Sequence, residues 1–194
     1  MFESFDENAS STWSTAWSIY GESTAFVIAP DEGMTDSALL TQGRSSLQAR
    51  TWAPVVIPAD SCVSVDVLAD SLVPISVLSR GQRLDSQGPS YYAASVTRGL
   101  QIQLVKVIDG QQQVLATLRS KTWLSGQWVR ISLTTIADHL YVHVLRHDTG
   151  QYLNDRGDWQ FGLTYALSVQ DSSISQDGFA GISREASHAG RVRI

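Results

Sequence analysis

Residues 127–148 read QWVRISLTTIADHLYVHVLRHD, and this stretch decides the fold of the chain. Two rows of apolar residues alternate with other residues: Val129, Ile131 and Leu133 in the first half, and Leu140, Val142 and Val144 in the second. A period of two predicts β-strands that bury one face. The two rows therefore predict a pair of antiparallel strands joined by a tight turn, on which further hairpins stack.

Alternation of the same kind runs through most of the chain from Cys62 onward, and Asp109-Gly110 gives a strong hairpin signal. About a dozen short strands separated by turns predict an all-β sandwich or barrel. Strand parity predicts one buried core, and we expect these residues in it: Leu104, Trp128, Ile131, Leu133, Val142 and Val144. Cys62, the single cysteine, cannot form an intrachain disulfide and is expected to be a small core residue.

Composition and charge bound the function. The chain has 194 residues and a net charge of −5. Of its residues, 43% are hydrophobic and 17% are charged, as in ordinary globular domains. A mildly acidic chain does not favour nucleic-acid binding, which needs clustered basic residues. No apolar run approaches the roughly 20 residues of a membrane span, and the first residues lack the pattern of a signal peptide. We therefore expect that the protein does not bind nucleic acid and does not insert into a membrane.

The order of several short motifs resembles the LamG-like, concanavalin A-like jelly-roll domains. They are Phe5-Asp6, Ser79-Arg80-Gly81, Tyr91-Tyr92, Asp109-Gly110 and residues 103–106, 126–130, 140–144 and 178–182. The resemblance implies a jelly-roll β-sandwich of two antiparallel sheets, one convex and one concave, formed by residues 1–194 as a single domain. Such domains usually end on an acidic pair and a Phe after the last strand, which this chain lacks. We therefore expect it to be a domain of a longer protein.

The resemblance also implies a class of function. In relatives the concave sheet and its rim loops bind glycans or proteins, and several hold calcium near the chain termini, which makes Asp6 the candidate metal ligand here. Large secreted proteins of bacterial surfaces often carry such domains. The resemblance thus implies a non-catalytic extracellular module that binds a glycan or a protein partner. The alternative is a structural or adhesive spacer without a small ligand.

Glycoside hydrolysis is the least favoured function. It needs two carboxylates on either side of the scissile bond, and the laminarinase-type jelly rolls supply them from a Glu-x-Asp-x-x-Glu strand. None of the five glutamates here lies in such a motif: Glu3, Glu7, Glu22, Glu32 and Glu185. We therefore expect the protein not to be an enzyme.

Strand parity selects the candidate binding residues. Because Leu140, Val142 and Val144 must face the core, Tyr141 and His143 must face away from it. The same argument, together with the resemblance, places five candidate residues on a concave ligand-binding face: Arg80, Tyr92, Gln103, Tyr141 and His143. Trp159, on an adjacent loop, is the sixth candidate. His139, His143 and His147 lie four residues apart. On a strand this spacing separates neighbours by about 13 Å, too far for one zinc ion.

Overall fold

The computed structural model describes residues 17–22, 25–29, 34, 38–41, 48–185 and 192–194. Every regular element in these ranges is a β-strand. The strands are β1 Ser18–Tyr20, β2 Phe26–Ala29, β3 Ala38–Thr41, β4 Ala49–Ile57, β5 Ser61–Leu68, β6 Ile75–Gln82, β7 Ser90–Thr97, β8 Gln101–Ile108, β9 Gln111–Arg119, β10 Trp128–Ile136, β11 His139–Arg146, β12 Tyr152–Leu153, β13 Trp159–Gln160, β14 Leu167–Gln170, β15 Gly178–Arg184 and β16 Val192–Arg193. No helix long and apolar enough to cross a membrane occurs in the described ranges.

The strands form two large antiparallel sheets and one small one. The seven-stranded sheet has the order β1-β4-β15-β6-β7-β8-β9, and the six-stranded sheet has the order β13-β12-β11-β10-β5 with β14 also paired to β11. A three-stranded sheet, β16-β3-β2, completes the fold. The predicted jelly-roll β-sandwich is therefore confirmed.

The hairpin of β10 and β11 forms as the sequence predicts. Leu133 pairs with Val142 and Ile131 with Val144, and all four side chains are fully buried. Because cross-strand partners share a face, this register directs one whole row toward the other sheet. The turn brings Ala137 into the left-handed region at φ 51°.

One core fills the space between the two large sheets. Val65 of the six-stranded sheet and Val77, Ala94 and Leu104 of the seven-stranded sheet are buried in the same cluster as the β10–β11 row. We call the faces toward this cluster the inner faces and the opposite ones the outer faces. The predicted burial of Leu104, Ile131, Leu133, Val142 and Val144 is confirmed.

Two core predictions are wrong. Trp128 is half-buried, and Cys62 is exposed. Trp128 precedes Val129 and pairs with Leu68, so the alternation that buries Val129 places Trp128 on the outer face. Cys62 precedes Val63 on β5 and lies on the outer face for the same reason.

The outer face of the seven-stranded sheet carries a second apolar cluster. It contains Trp52, Leu78, Leu84, Tyr91, Ala93, Val105 and Val107. Leu84 belongs to the β6–β7 loop, whose carbonyl groups at Leu84 and Ser86 accept hydrogen bonds from Arg50 at 3.1 and 2.6 Å. The loop is thereby held against the sheet, and this part of the outer face is covered.

Candidate functional site

Arg80 is buried, so its predicted place on an open binding face is wrong. Its side chain is 1% exposed, and the guanidinium donates to the carbonyls of Ala59, Ile174 and Ala137 at 2.9, 2.7 and 2.7 Å. The ladder between β6 and β7 is irregular after Ser79, and Arg80 has φ 52°. This bulge interrupts the alternation that parity assumed and directs the side chain into the protein.

Tyr92 is also buried and lies on an inner face, which contradicts its predicted exposure. It belongs to the core cluster with Ala94, while Tyr91 takes the outer face. The Tyr92 hydroxyl donates to Asp171 Oδ1 at 2.6 Å and accepts from the Ile174 amide at 3.1 Å. Burial, followed by the hydrogen bond to Asp171, raises the pKa of Tyr92 to about 12. The adjacent tyrosines gave no alternation from which to choose between the two faces.

The remaining candidates do not share one surface. Gln103 is half-buried on β8, between its partners Ser95 and Thr117 on the outer face of the seven-stranded sheet. Tyr141 and His143 lie on β11 of the other sheet. Trp159 is half-buried, packs against the core, and has the Arg146 guanidinium 5.2 Å from its ring centre. The concave face predicted from parity is therefore divided between opposite sides of the sandwich.

Tyr141 and His143 face outward as parity predicted, and the structure adds two further rings to them. The Tyr165 ring lies 5.5 Å from that of Tyr141 and 6.4 Å from that of His143, and His139 stacks on Tyr141 at 6.1 Å. We call these four side chains the aromatic ridge. His143 Nδ1 lies 2.7 Å from the Thr164 carbonyl, which can only accept a hydrogen bond. In neutral His143 the proton is therefore on Nδ1, and Nε2 is an acceptor.

Short polar side chains lie beside the ridge on the same face. Ser64 and Ser132 are in the cross-strand row of His143, and Cys62 and Thr134 are in the row of Tyr141. These four residues are exposed or half-buried. Because they are much shorter than the aromatic rings, they form a low polar floor beside the ridge. We call this floor, bordered on one side by the ridge, the trough.

A carboxylate held by an arginine and a histidine lies at one end of the trough. Arg130 donates to both oxygens of Asp66 at 3.0 and 2.7 Å, and His147 Nε2 lies 2.7 Å from Oδ1. Burial alone would raise the pKa of Asp66, but the hydrogen bonds from Arg130 and His147 lower it below its ordinary value. Asp66 therefore stays ionised at neutral pH and is held in place, which does not suit it to protonate a leaving group.

The loop after β13 supplies the part of the site that sequence reasoning missed. The period-two spacing of Leu163, Tyr165, Leu167 and Val169 predicts one strand, but β14 spans only Leu167–Gln170. Phe161 and Leu163 are 75% and 73% exposed on this loop, next to Tyr165. The density of apolar residues in FGLTYAL was the available signal. Alternation alone could not show that the segment leaves the sheet.

The predicted calcium ligand cannot be placed, because Asp6 lies outside the described residues. Among the residues that are described, no group of three or more His, Cys, Asp or Glu side chains could hold a metal ion.

Comparison with known proteins shows the fold. No family model and no curated protein matches the chain. Among solved structures, the carbohydrate-binding module CBM66 from Bacillus subtilis superposes with a TM-score of 0.62 at 12% identity, covering 92% of this chain and 91% of that one. The Bacillus licheniformis β-glucanase gives 0.57 at 7% identity, with 93% and 90% covered.

The fold is a concanavalin A-like jelly roll. Lectin II from Ulex europaeus shares it with a TM-score of 0.55 at 10% identity, covering 92% of this chain and 89% of that one. The lumenal domain of VIP36 bound to Ca²⁺ and Man2 also gives 0.55, at 11% identity, with 97% and 82% covered. The resemblance inferred from the sequence is thus confirmed for the fold. Carbohydrate-binding proteins and a glucanase share it, so the site itself must be used to argue function.

Proposed function

We propose that this protein is a non-catalytic carbohydrate-binding module that holds a glycan in the trough. The observation that carries the proposal is the aromatic ridge standing beside a floor of short polar side chains. Sugars present apolar ring faces and a rim of hydroxyl groups. A site that combines aromatic rings with a few placed polar groups matches both surfaces.

The chemistry of the trough suits a neutral glycan. Tyr141 and Tyr165 offer ring faces for stacking, and Nε2 of neutral His143 accepts a hydrogen bond from a sugar hydroxyl. The hydroxyls of Ser132 and Thr134 can both donate and accept. The Asp66 carboxylate at the end of the trough is neutralised by Arg130, so the site presents no free charge that would require a charged ligand.

The first test measures binding and turnover together. Affinity electrophoresis against soluble polysaccharides, including mannan and a β-glucan, should show retardation by at least one of them. Tyr141→Ala and Tyr165→Ala should abolish it, since removal of a stacking aromatic typically costs about tenfold or more in affinity. Tyr20→Ala, a half-buried tyrosine on β1 of the other sheet, is the matched control. Release of reducing sugar from the retarding polysaccharide would contradict the non-catalytic assignment.

The second test uses the single cysteine. Cys62 is exposed and two strands away from Tyr141 in the same cross-strand row, which is about 10 Å. Attachment of a bulky maleimide to Cys62 should block glycan binding by filling the floor of the trough. Cys62→Ala treated with the same reagent should bind as the untreated protein does. Full binding by the labelled protein would place the glycan elsewhere.

A protein-binding or adhesive role is the second candidate, and the exposed Phe161 and Leu163 favour it. Two such side chains next to the ridge offer more apolar surface than a polar sugar rim needs. If no polysaccharide or arrayed glycan binds, while Phe161→Ser removes binding to a protein partner, this second function replaces the first. An extracellular or cell-surface location is part of both proposals.

A further inference from the structure

Trp123 lies on the loop between β9 and β10, at the end of the sandwich, with 65% of its surface exposed. Its ring rests on the backbone of Gly99. A Cβ at Gly99 would lie 2.3 Å from Cζ3 and 2.7 Å from both of its ring neighbours, Cε3 and Cη2. A position at the edge of the ring, equally near to Cζ3, would be clearly farther from both neighbours, so these short distances place it above the ring face. One face of the six-membered ring is therefore supported by Gly99.

Gly99 is needed for this arrangement for two reasons. Its φ of +79° is one that residues with a side chain rarely adopt, and any Cβ would collide with the indole. The neighbouring backbone is held at several points, since Gly99 donates to the Leu124 carbonyl at 2.8 Å and Arg98 donates to Ser71 at 2.7 Å. The ring is thus a positioned platform at the protein surface.

Two arginines at this end of the sandwich have no carboxylate partner among the described residues. The Arg98 guanidinium lies 5.9 Å from the Trp123 ring centre, and its Nε is buried without a hydrogen-bond partner. Arg119, at the end of β9, donates to the amide oxygen of Gln101 at 3.0 Å. In contrast, Lys106 and Arg130 each form an ion pair with an aspartate. The positive charge of these two arginines, beside the exposed indole of Trp123, suits a ligand that combines a ring with a negative charge.

We propose that Trp123, Arg98 and Arg119 form a second saccharide site, which binds an acidic sugar of the uronate class. The sugar ring stacks on the exposed part of Trp123, and its carboxylate pairs with Arg98 and Arg119 as a charge-assisted acceptor. The site lies between β9 and β10, whereas the ridge begins at the β10–β11 turn. It therefore goes beyond the proposed function and does not depend on the trough.

The test compares polygalacturonate with neutral galactan by affinity electrophoresis at low salt. The wild-type protein should be retarded by polygalacturonate, and Tyr141→Ala, whose trough is disabled, should be retarded by polygalacturonate and not by galactan. Added salt should weaken the retardation because ionic contacts are screened. Arg98→Gln should lower the affinity about tenfold or more. Arg83→Gln changes the net charge equally at an exposed arginine at the other end of the seven-stranded sheet, and should leave the affinity within about twofold.

Substitutions of Trp123 separate stacking from structural support. Trp123→Leu keeps an apolar group over Gly99 but should lose polygalacturonate binding, whereas Trp123→Tyr should retain part of it. Thermal melts of both variants show whether the fold is intact. Three results would overturn the proposal: no retardation of the wild type, equal effects of Arg98→Gln and Arg83→Gln, or normal binding by a folded Trp123→Leu. Tyr141→Ala should bind polygalacturonate normally, so failure of the trough proposal would be recognised separately.

Discussion

The side chain of Arg80 holds three loops of the sandwich together through its guanidinium group. Its hydrogen bonds reach carbonyls at Ala59, Ala137 and Ile174. Each carbonyl lies in a connection between strands. A buried guanidinium with three such partners is a structural residue, since its removal leaves several backbone acceptors unsatisfied.

We therefore expect Arg80→Ala to lower the free energy of unfolding by about 3 kcal/mol or more, as do other losses of buried charge-assisted hydrogen bonds. Urea unfolding monitored by tryptophan fluorescence measures the change. Arg83→Ala, at an exposed arginine three residues away, should stay within about 0.5 kcal/mol of wild type. Equal stability of the two variants would show that the Arg80 hydrogen bonds contribute nothing.

Asp171 is a second residue whose environment affects the stability of the fold, in this case through its pKa. Burial alone would raise its pKa, but hydrogen bonds from Lys106, Tyr92 and Ser173 hold the pKa well below the ordinary value of 3.8. Lys106 Nζ is 2.6 Å from the carboxylate. A lowered folded-state pKa adds stability that is fully present above the unfolded pKa and is lost as the pH falls below it.

The stability difference between wild type and Asp171→Asn should therefore be largest near neutral pH and shrink below about pH 4. Urea unfolding at pH 7, 5 and 3 measures it. Lys106→Met should reduce the pH dependence in the same way, because the carboxylate loses its cation. A difference that stays constant between pH 7 and pH 3 would rule out this account of Asp171.

At the scale of elements, the two faces of β10 have different roles, one in the core and one in the trough, because its side chains alternate. Ile131 and Leu133 face the core, and Ser132 and Thr134 face the trough. Because the side-chain period is two, a single strand can supply the packing of the sandwich and the floor of the proposed site. Substitutions on its two faces should therefore have separable effects.

Leu133→Ala should cost about 2–5 kcal/mol of stability, as at other fully buried leucines. Ser132→Ala, the preceding residue on the opposite face, should change stability by less than about 0.5 kcal/mol. Chemical denaturation of both variants makes the comparison. A loss below about 1 kcal/mol for Leu133→Ala would mean that its side chain is not enclosed as the structure describes.

At the scale of the whole molecule, the sheets share one core. Phe26 and Val192 of the three-stranded sheet are buried in the same cluster as Val77 and Leu133 of the two large sheets. The two large sheets therefore cannot separate without exposing the apolar faces of both. We expect the chain to unfold as a single domain.

Heating should accordingly give one transition, with the same midpoint by circular dichroism at β-sheet wavelengths and by tryptophan fluorescence. Differential scanning calorimetry should give equal calorimetric and van't Hoff enthalpies. Separate transitions would show that the small sheet or one large sheet unfolds independently. Truncations of the chain would then identify the unit that melts first.

The sequence predicted the fold well because alternation is a local property. Parity placed Leu140, Val142 and Val144 inside and therefore Tyr141 and His143 outside, and both placements agree with the structure. It failed at Arg80, where a bulge reverses the side chain, and at Tyr92, whose neighbour Tyr91 was an equal candidate for the core. Arg80 and Tyr92 have structural roles in place of the predicted ligand-binding ones. The ligand-binding role of Trp159 remains a prediction.

The sequence by itself determined an all-β sandwich or barrel and most of the rows of residues that are buried, because a period of two needs only neighbours along the chain. Only the tertiary structure decided which outward residues meet. Tyr165 joins Tyr141 because a loop crosses to β11, and Trp123 rests on Gly99 because two turns come together at one end of the sandwich. Such contacts depend on the order of strands in the sheets and on bulges within them, and neither leaves a periodic signal in the sequence.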